Sequence, residues 1–331
     1  MRTIAIDAMG GEHAPEAIVK AVLQVKPELP QTRMVLFGDQ NKLTELIPAD
    51  QLDDRLAIVG TSEVILDEDE PVKAIRKKKD ASMVVAANYV KAGKADALFS
   101  LGNTGALLAS GIFIIGRIKG VSRPGLMPTL PTADGTGFNM IDVGANATSK
   151  PEFLVQWAEM ANYYANSIRG IAKPRIALLN NGAESDKGDP LHQEVYQLLQ
   201  ESSLNFIGNI EGNELLEGKA DVVVSDGFTG NAALKSIEGA SGVILQLLKN
   251  SLLNNGIKAK LGALLAKDAL SSLKKQFDTA RYGGAVLLGI AAPVVKTHGR
   301  STERPIYYTI KQVDKMLEED LIEKFRSEFS K

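Results

Sequence analysis

The chain contains no cysteine. That excludes disulfide staples, thiolate zinc sites, iron–sulfur clusters and every mechanism that runs through an enzyme thiol. Histidine is scarce, with three residues (His13, His192 and His298), so a histidine-rich metal centre is not expected. An excess of one charge is missing as well: 38 Lys and Arg stand against 40 Asp and Glu, a formal net charge of −2. A protein that neutralises many phosphates of a duplex carries a basic excess, so no nucleic-acid partner is expected. Long apolar runs are also lacking. The stretch from Gly105 to Gly116 is the longest, is broken by glycine, and falls well short of the roughly 20 residues a membrane-spanning helix needs. Met1-Arg2-Thr3-Ile4-Ala5-Ile6-Asp7 reads as a strand, not as a leader with a charged and then an apolar region. These absences together lead to the expectation of a cytoplasmic protein.

What is present is ordinary globular material. The 331 residues are 44% hydrophobic and 24% charged, enough for a sizeable core. No repeat, low-complexity segment or Pro/Gly/Ser linker divides them, so residues 1–331 are read as one unit. Short β-rich runs occur at Thr3–Ile6, Met34–Phe37, Leu56–Val59, Ala97–Phe99, Asn139–Val143, Ile176–Leu179, Asn205–Ile207 and Val222–Val224. Each is followed by a helix-compatible stretch. That alternation predicts a three-layer α/β/α fold with a mostly parallel sheet.

The strand ends carry the chemistry. Five of these runs lead into loops of Gly with Asp, Asn, Ser or Thr: Asp7-Ala8-Met9-Gly10-Gly11, Ser100-Leu101-Gly102-Asn103-Thr104-Gly105, Asp142-Val143-Gly144-Ala145-Asn146, Asn180-Asn181-Gly182 and Ser225-Asp226-Gly227-Phe228-Thr229-Gly230-Asn231. Any one of them is explained by turn chemistry alone. Five together, at the edge where parallel sheets bind ligands, predict a polar site of phosphate size.

The familiar fingerprints are absent. Gly212 to Lys219 has one residue too many for a phosphate-binding P-loop and Ala220 where Ser or Thr is required. No G-x-G-x-x-G follows the first strand, and neither G-x-S-x-G nor H-E-x-x-H occurs. Without an evident nucleophile–base pair, a bound substrate is expected to supply the nucleophile.

The loops resemble those of the PlsX phosphate acyltransferases of bacterial phospholipid synthesis. The resemblance starts with Ile6-Asp7-Ala8-Met9-Gly10-Gly11-Glu12-His13-Ala14-Pro15 and continues through Gly102-Asn103-Thr104-Gly105-Ala106, Asp142 to Asn146 and Ile210-Glu211-Gly212-Asn213. It ends with Ser225 to Asn231, Tyr282-Gly283-Gly284-Ala285 and His298-Gly299, so it covers essentially the whole chain in order. The match is looser from Asn180 to Asp186, with Lys187-Gly188 kept. The resemblance implies transfer of a fatty acyl group from acyl-acyl carrier protein to inorganic phosphate, without a cofactor. It also implies a homodimer with a fold similar to phosphotransacetylases and isocitrate/isopropylmalate dehydrogenases. A coenzyme A-dependent phosphotransacetylase is the alternative within enzymes, and a non-catalytic scaffold for lipid enzymes the alternative outside them.

Under that resemblance, phosphate is placed at Gly102, Asn103, Thr104 and Gly105, with Thr229 and Gly230 facing it. The catalytic candidates are Asn231, Lys187 as positive charge, His298 as proton donor and Asp226 as an orienting group. No metal ligand set is assigned. His13 is expected to begin the first helix, and His192 is read as a helix-surface residue without function.

Two segments are candidates for macromolecular contact. Asp67 to Glu70 is an acidic run followed by basic Arg76-Lys77-Lys78-Lys79, which reads as a solvated face or as a place to receive the acidic carrier protein. In residues 243–278, Ile257, Leu261, Leu264, Leu265 and Leu273 fall near one helical face. There, six lysines (Lys249, Lys258, Lys260, Lys267, Lys274 and Lys275) outnumber Asp268 and Asp278. Such a helix packs on the core or a dimer partner, or lies peripherally on an anionic membrane.

Overall fold

Apolar runs of four to seven residues form the strands β1 (Arg2–Asp7), β2 (Thr32–Gly38), β3 (Leu56–Gly60), β4 (Ala97–Ser100), β5 (Gly125–Met127) and β6 (Thr129–Leu130), the last two shorter. They continue as β7 (Phe138–Ile141), β8 (Ile176–Asn180), β9 (Phe206–Glu211), β10 (Val222–Val224), β11 (Ala285–Leu288) and β12 (Val294–Lys296). This computed structural model describes residues 1–254, 256–276 and 279–329. Each of the eight runs read as a strand lies in or overlaps one. The additional strands are β5, β6, β11 and β12, whose pairing is antiparallel wherever they meet β11 or β7.

The α/β class with mostly parallel strands is observed, and the strands are divided between two sheets. One has the order β3-β2-β1-β4-β12-β11-β5, the other β6-β7-β10-β8-β9. The division has a local cause. Pro128, which carries no N–H, separates β5 from β6, so the chain leaves one sheet and joins the other. The Leu126 and Pro128 carbonyls accept from the Val143 and Met140 N–H groups at 3.1 and 3.2 Å, which ties the sheets together along this seam.

The helices are α1 (Glu16–Val25), α2 (Gln40–Leu46), α3 (Pro71–Lys77), α4 (Ser82–Lys91), α5 (Thr104–Ser110) and α6 (Pro151–Ser167). Later come α7 (Pro190–Glu201), α8 (Gly227–Asn254), α9 (Gly256–Leu265), α10 (Lys267–Gln276), α11 (Glu303–Glu318) and α12 (Leu321–Phe329). Side chains alternate across β1 and β2. Ile4, Ile6, Met34 and Leu36 enter one buried cluster, while Ala5, Val35 and Phe37 enter another with α4. Likewise Ile176, Leu178, Val222 and Val224 join the first cluster, and Ala177, Leu179 and Val223 a third. The shared cluster is filled by α6. Its Trp157 is wholly buried and satisfies its indole N–H on the Arg123 carbonyl at 2.9 Å. Both sheets therefore contribute side chains to buried clusters on both faces.

Candidate active site

Parallel strands deliver their carboxyl ends to one edge, and a cleft between the two sheets collects them. At the end of β1, the Asp7 carboxylate is wholly buried. It accepts from the Ser82 and Ser100 hydroxyls, each at 2.6 Å, and from the Met9 N–H at 3.2 Å. Burial raises its pKa against the pull of these bonds. Ser100 also accepts from Gly102 N–H at 2.9 Å, so one buried acid sets the backbone of the next loop.

That loop starts α5. Asn103 caps the helix, accepting from Ala106 N–H at 2.9 Å, while its amide donates to the Leu66, Asp67 and Asp69 carbonyls at 3.0, 3.1 and 3.2 Å. Its side chain is thus committed to holding the acidic run in place. Gly105 lies against Pro71, where a Cβ would stand 2.5 Å from Cγ. Thr104, exposed between them, faces the cleft.

The second sheet supplies the opposite wall. Asp142, after β7, accepts from the Leu126, Ala145 and Asn146 N–H groups at 2.9, 3.0 and 2.8 Å, and burial pushes its carboxyl up. Gly230 passes so close that a Cβ would fall 2.0 Å from the Asp142 carbonyl oxygen, which fixes the start of α8 against this loop. Asp226 caps α8 with Oδ1, accepting from Phe228 and Thr229 N–H, both at 3.0 Å. Its Oδ2 is buried without a hydrogen-bond partner among the described residues, 3.6 Å from His192 Nε2. His192 bonds Asp189 through Nδ1 at 2.7 Å and is buried. The surface position expected for His192 is therefore corrected: Asp189 caps α7 and turns the imidazole inward.

A cavity of about 640 Å³ occupies the cleft. It brings together three of the residues singled out in the sequence: Thr104 at the start of α5, Asn231 in the first turns of α8 and His298 in the loop after β12. Lys235 and Glu238, paired at 2.8 Å on α8, and Lys296 line it too. Gly102, Asn103, Gly105, Thr229, Gly230 and Asp226 do not line it. Lys187 is not at the cavity. It lies half-exposed on the loop after β8, with Nζ 3.9 Å from Glu184. His13 is exposed ahead of α1, which begins at Glu16.

Lys296 is the residue that the strand-end pattern leaves out. Its ammonium donates to the Leu101 carbonyl at 3.0 Å and to its neighbour Thr297, and burial pushes it down to about 8. The signal was available: Pro293-Val294-Val295-Lys296-Thr297-His298-Gly299 is another apolar run ending in a polar, Gly-containing loop.

Solved structures share this fold. A branched-chain phosphotransacylase from Enterococcus faecalis V583 has TM-score 0.62 and 17% identity, covering 96% of this chain and 99% of its own. A phosphotransacetylase from Streptococcus pyogenes has TM-score 0.61 and 18% identity, covering 97% and 94%. The fold is thus of the phosphotransacylase type. A family model described as fatty acid synthesis protein matches residues 2–324. The phosphate acyltransferase of Lactobacillus acidophilus is 74% identical over 331 residues, 100% of this chain and 99% of the relative. That of Streptococcus pneumoniae is 55% identical over 331 residues, with the same coverage. The chain belongs to the phosphate acyltransferase family and is a transferase.

Proposed function

We propose that this chain transfers a fatty acyl group from acyl-acyl carrier protein to inorganic phosphate, by direct attack of bound phosphate on the thioester. The observation that carries the reading is the convergence of Thr104, Asn231 and His298 on one cavity, in a family member without cysteine. A phosphate oxygen forms a bond to the acyl carbonyl carbon, the carbon–sulfur bond breaks, and the thiolate leaves and takes a proton. Holding both partners in line supplies much of the acceleration, and donors aimed at the tetrahedral oxyanion supply more. The Thr104 hydroxyl and Asn231 amide hold the phosphate. Gly102, Asn103, Gly105, Thr229 and Gly230 fix the backbone around it. His298 delivers the proton, Asp226 anchors the start of α8, and Lys187 meets the developing oxyanion when the donor is bound.

The donor's protein part suits the exposed cations of α3 and the turn after it. Asp69 is paired to Lys78 at 2.5 Å and Glu70 caps α3, so the acidic run is used locally. Arg76, Lys77 and Lys79 remain exposed, and Pro71, at the other end of α3, packs against Gly105.

A further part of the reading concerns α8 to α10. Among the described residues no helix is long and apolar enough to cross a membrane. Yet Leu264 and Leu265 are 67% and 86% exposed, and Ile244 and Leu247 of α8 are exposed too. Ile257, Lys260, Leu273, Lys274 and Lys275 belong to the expected amphipathic face, but their side chains, like all of Asp278, lie outside the described residues. This arm is proposed to rest peripherally on the cytoplasmic face of the membrane, and the proposed homodimer to form without it; packing of the arm on a second copy is the competing reading.

The test is incubation with long-chain acyl-acyl carrier protein and phosphate, trapping product with hydroxylamine. Phosphate-dependent hydroxamate is expected, formed faster than from the matching acyl-coenzyme A. A preference for coenzyme A would make the chain a phosphotransacetylase. Inactivity with every thioester, with membrane binding retained, would make it a scaffold.

A further inference from the structure

We infer that Lys296 binds the phosphate nucleophile through its ammonium group, an inference that rests on the transfer reaction proposed above. Lys296 ends β12 beside Ser100 of β4, in the parallel register Lys296↔Ser100. A lysine has three N–H donors. Two of them are used on the Leu101 and Thr297 carbonyls, which anchor the group between two strand ends and leave one donor for the cleft.

The charge has no local owner. Among the described residues no carboxylate lies within ion-pair distance of Nζ; Asp7 and Asp67 act on it only through space. Asp7 is already occupied by Ser82, Ser100 and Met9. A sheltered cation without a counter-ion is costly unless an anion arrives. Phosphate is the anion that the reaction brings. Lys235, the other cation lining this cavity, is paired with Glu238.

Position adds a second argument. Lys296 lines the main cavity together with Thr104, Asn231 and His298. It also lines a small adjoining niche walled by Leu107, Leu108, Leu126, Leu287 and Val294. The main cavity is itself mixed, its polar residues set among Leu126, Leu130, Leu234 and Ile237, so Lys296 stands beside both polar groups and an apolar wall.

The test uses the full-length enzyme, measuring acyl-phosphate formation against inorganic phosphate at fixed acyl donor. Lys296→Met is expected to raise the KM for phosphate about tenfold or more, the loss of one charge-assisted hydrogen bond, while the donor KM changes less than about threefold. Lys296→Arg keeps the charge and is expected to stay closer to wild type. Wild-type phosphate KM should also climb as pH rises through about 8, as the ammonium loses its proton. In Lys296→Arg that climb should be shallower, because the part due to the Lys296 ammonium is lost while any part due to phosphate or to the facing groups Asp7, Asp67, Lys235, Glu238 and His298 is common to both enzymes. This second arm stands even if Lys296→Met does not fold. An unchanged phosphate KM in soluble Lys296→Met, or a pH climb as steep in Lys296→Arg as in wild type, would overturn the inference. Wild-type enzyme that forms no phosphate-dependent product would overturn the transfer reaction itself.

Discussion

Asn231 and Lys296 show how differently two residues of one cleft relate to stability. Asn231 is exposed at the start of α8, so Asn231→Ala is expected to change folding stability by less than about 0.5 kcal/mol while lowering turnover by about a hundredfold or more. Chemical denaturation and product formation on the same preparation check both halves. Lys187→Ala is likewise expected to keep the fold and slow transfer, and full activity in both variants would remove the site as drawn. Lys296 has a folded pKa lowered from 10.5 to about 8 by burial. Between those values the unfolded chain holds the proton and the folded chain does not, so its contribution to stability rises with pH. Wild type should therefore gain stability relative to Lys296→Met as pH is taken from about 8 to 10.5, in paired denaturation curves. A constant difference would mean that the ammonium is not shielded.

Among the elements, the strands were far more legible than the way they are shared between sheets. Uniformly apolar runs such as Val222–Val224 have a single reading, a strand buried on both faces, and the structure agrees. The antiparallel strands are short or glycine-flanked, and Pro128 redirects the chain by removing one donor, an effect with no periodic signature. The strand-end loops were legible as a set, since Thr104, Asn231 and His298 do meet. Their inner workings were not. That Asn103 is spent on the Leu66–Asp69 carbonyls depends on a contact 34 to 37 residues away, which spacing cannot show. His192 was hidden for a similar reason, its burial depending on Asp189 and Asp226 from neighbouring elements. The close approach at Gly230 gives the element-scale prediction. Gly230→Ala places a Cβ 2.0 Å from the Asp142 carbonyl oxygen, so α8 must shift. Destabilisation of about 1–3 kcal/mol is expected, measured by urea unfolding, together with lost activity because Asn231 moves with the helix.

For the whole molecule, one of the three buried clusters is shared by both sheets, containing Ile4 of one and Val222 of the other. One cooperative unfolding transition is predicted in calorimetry, and two separated transitions would show that residues 1–331 hold more than one folding unit. The exposed arm is tested separately. Leu261→Asp with Leu264→Asp should reduce flotation with anionic liposomes while light scattering still reports a dimer; unchanged flotation would place the membrane contact elsewhere. The absence of cysteine remains the broadest constraint, because under the proposed reaction the acyl group leaving a thioester has no enzyme thiol to receive it. The most direct measurement is therefore a single turnover with acyl-acyl carrier protein and phosphate carrying oxygen-18 at every oxygen, read by mass spectrometry. Direct attack predicts acyl phosphate that retains all the label, and no acylated enzyme when phosphate is left out. Acyl-enzyme formed without phosphate, or acyl carrier protein that stays charged with phosphate present, would contradict it.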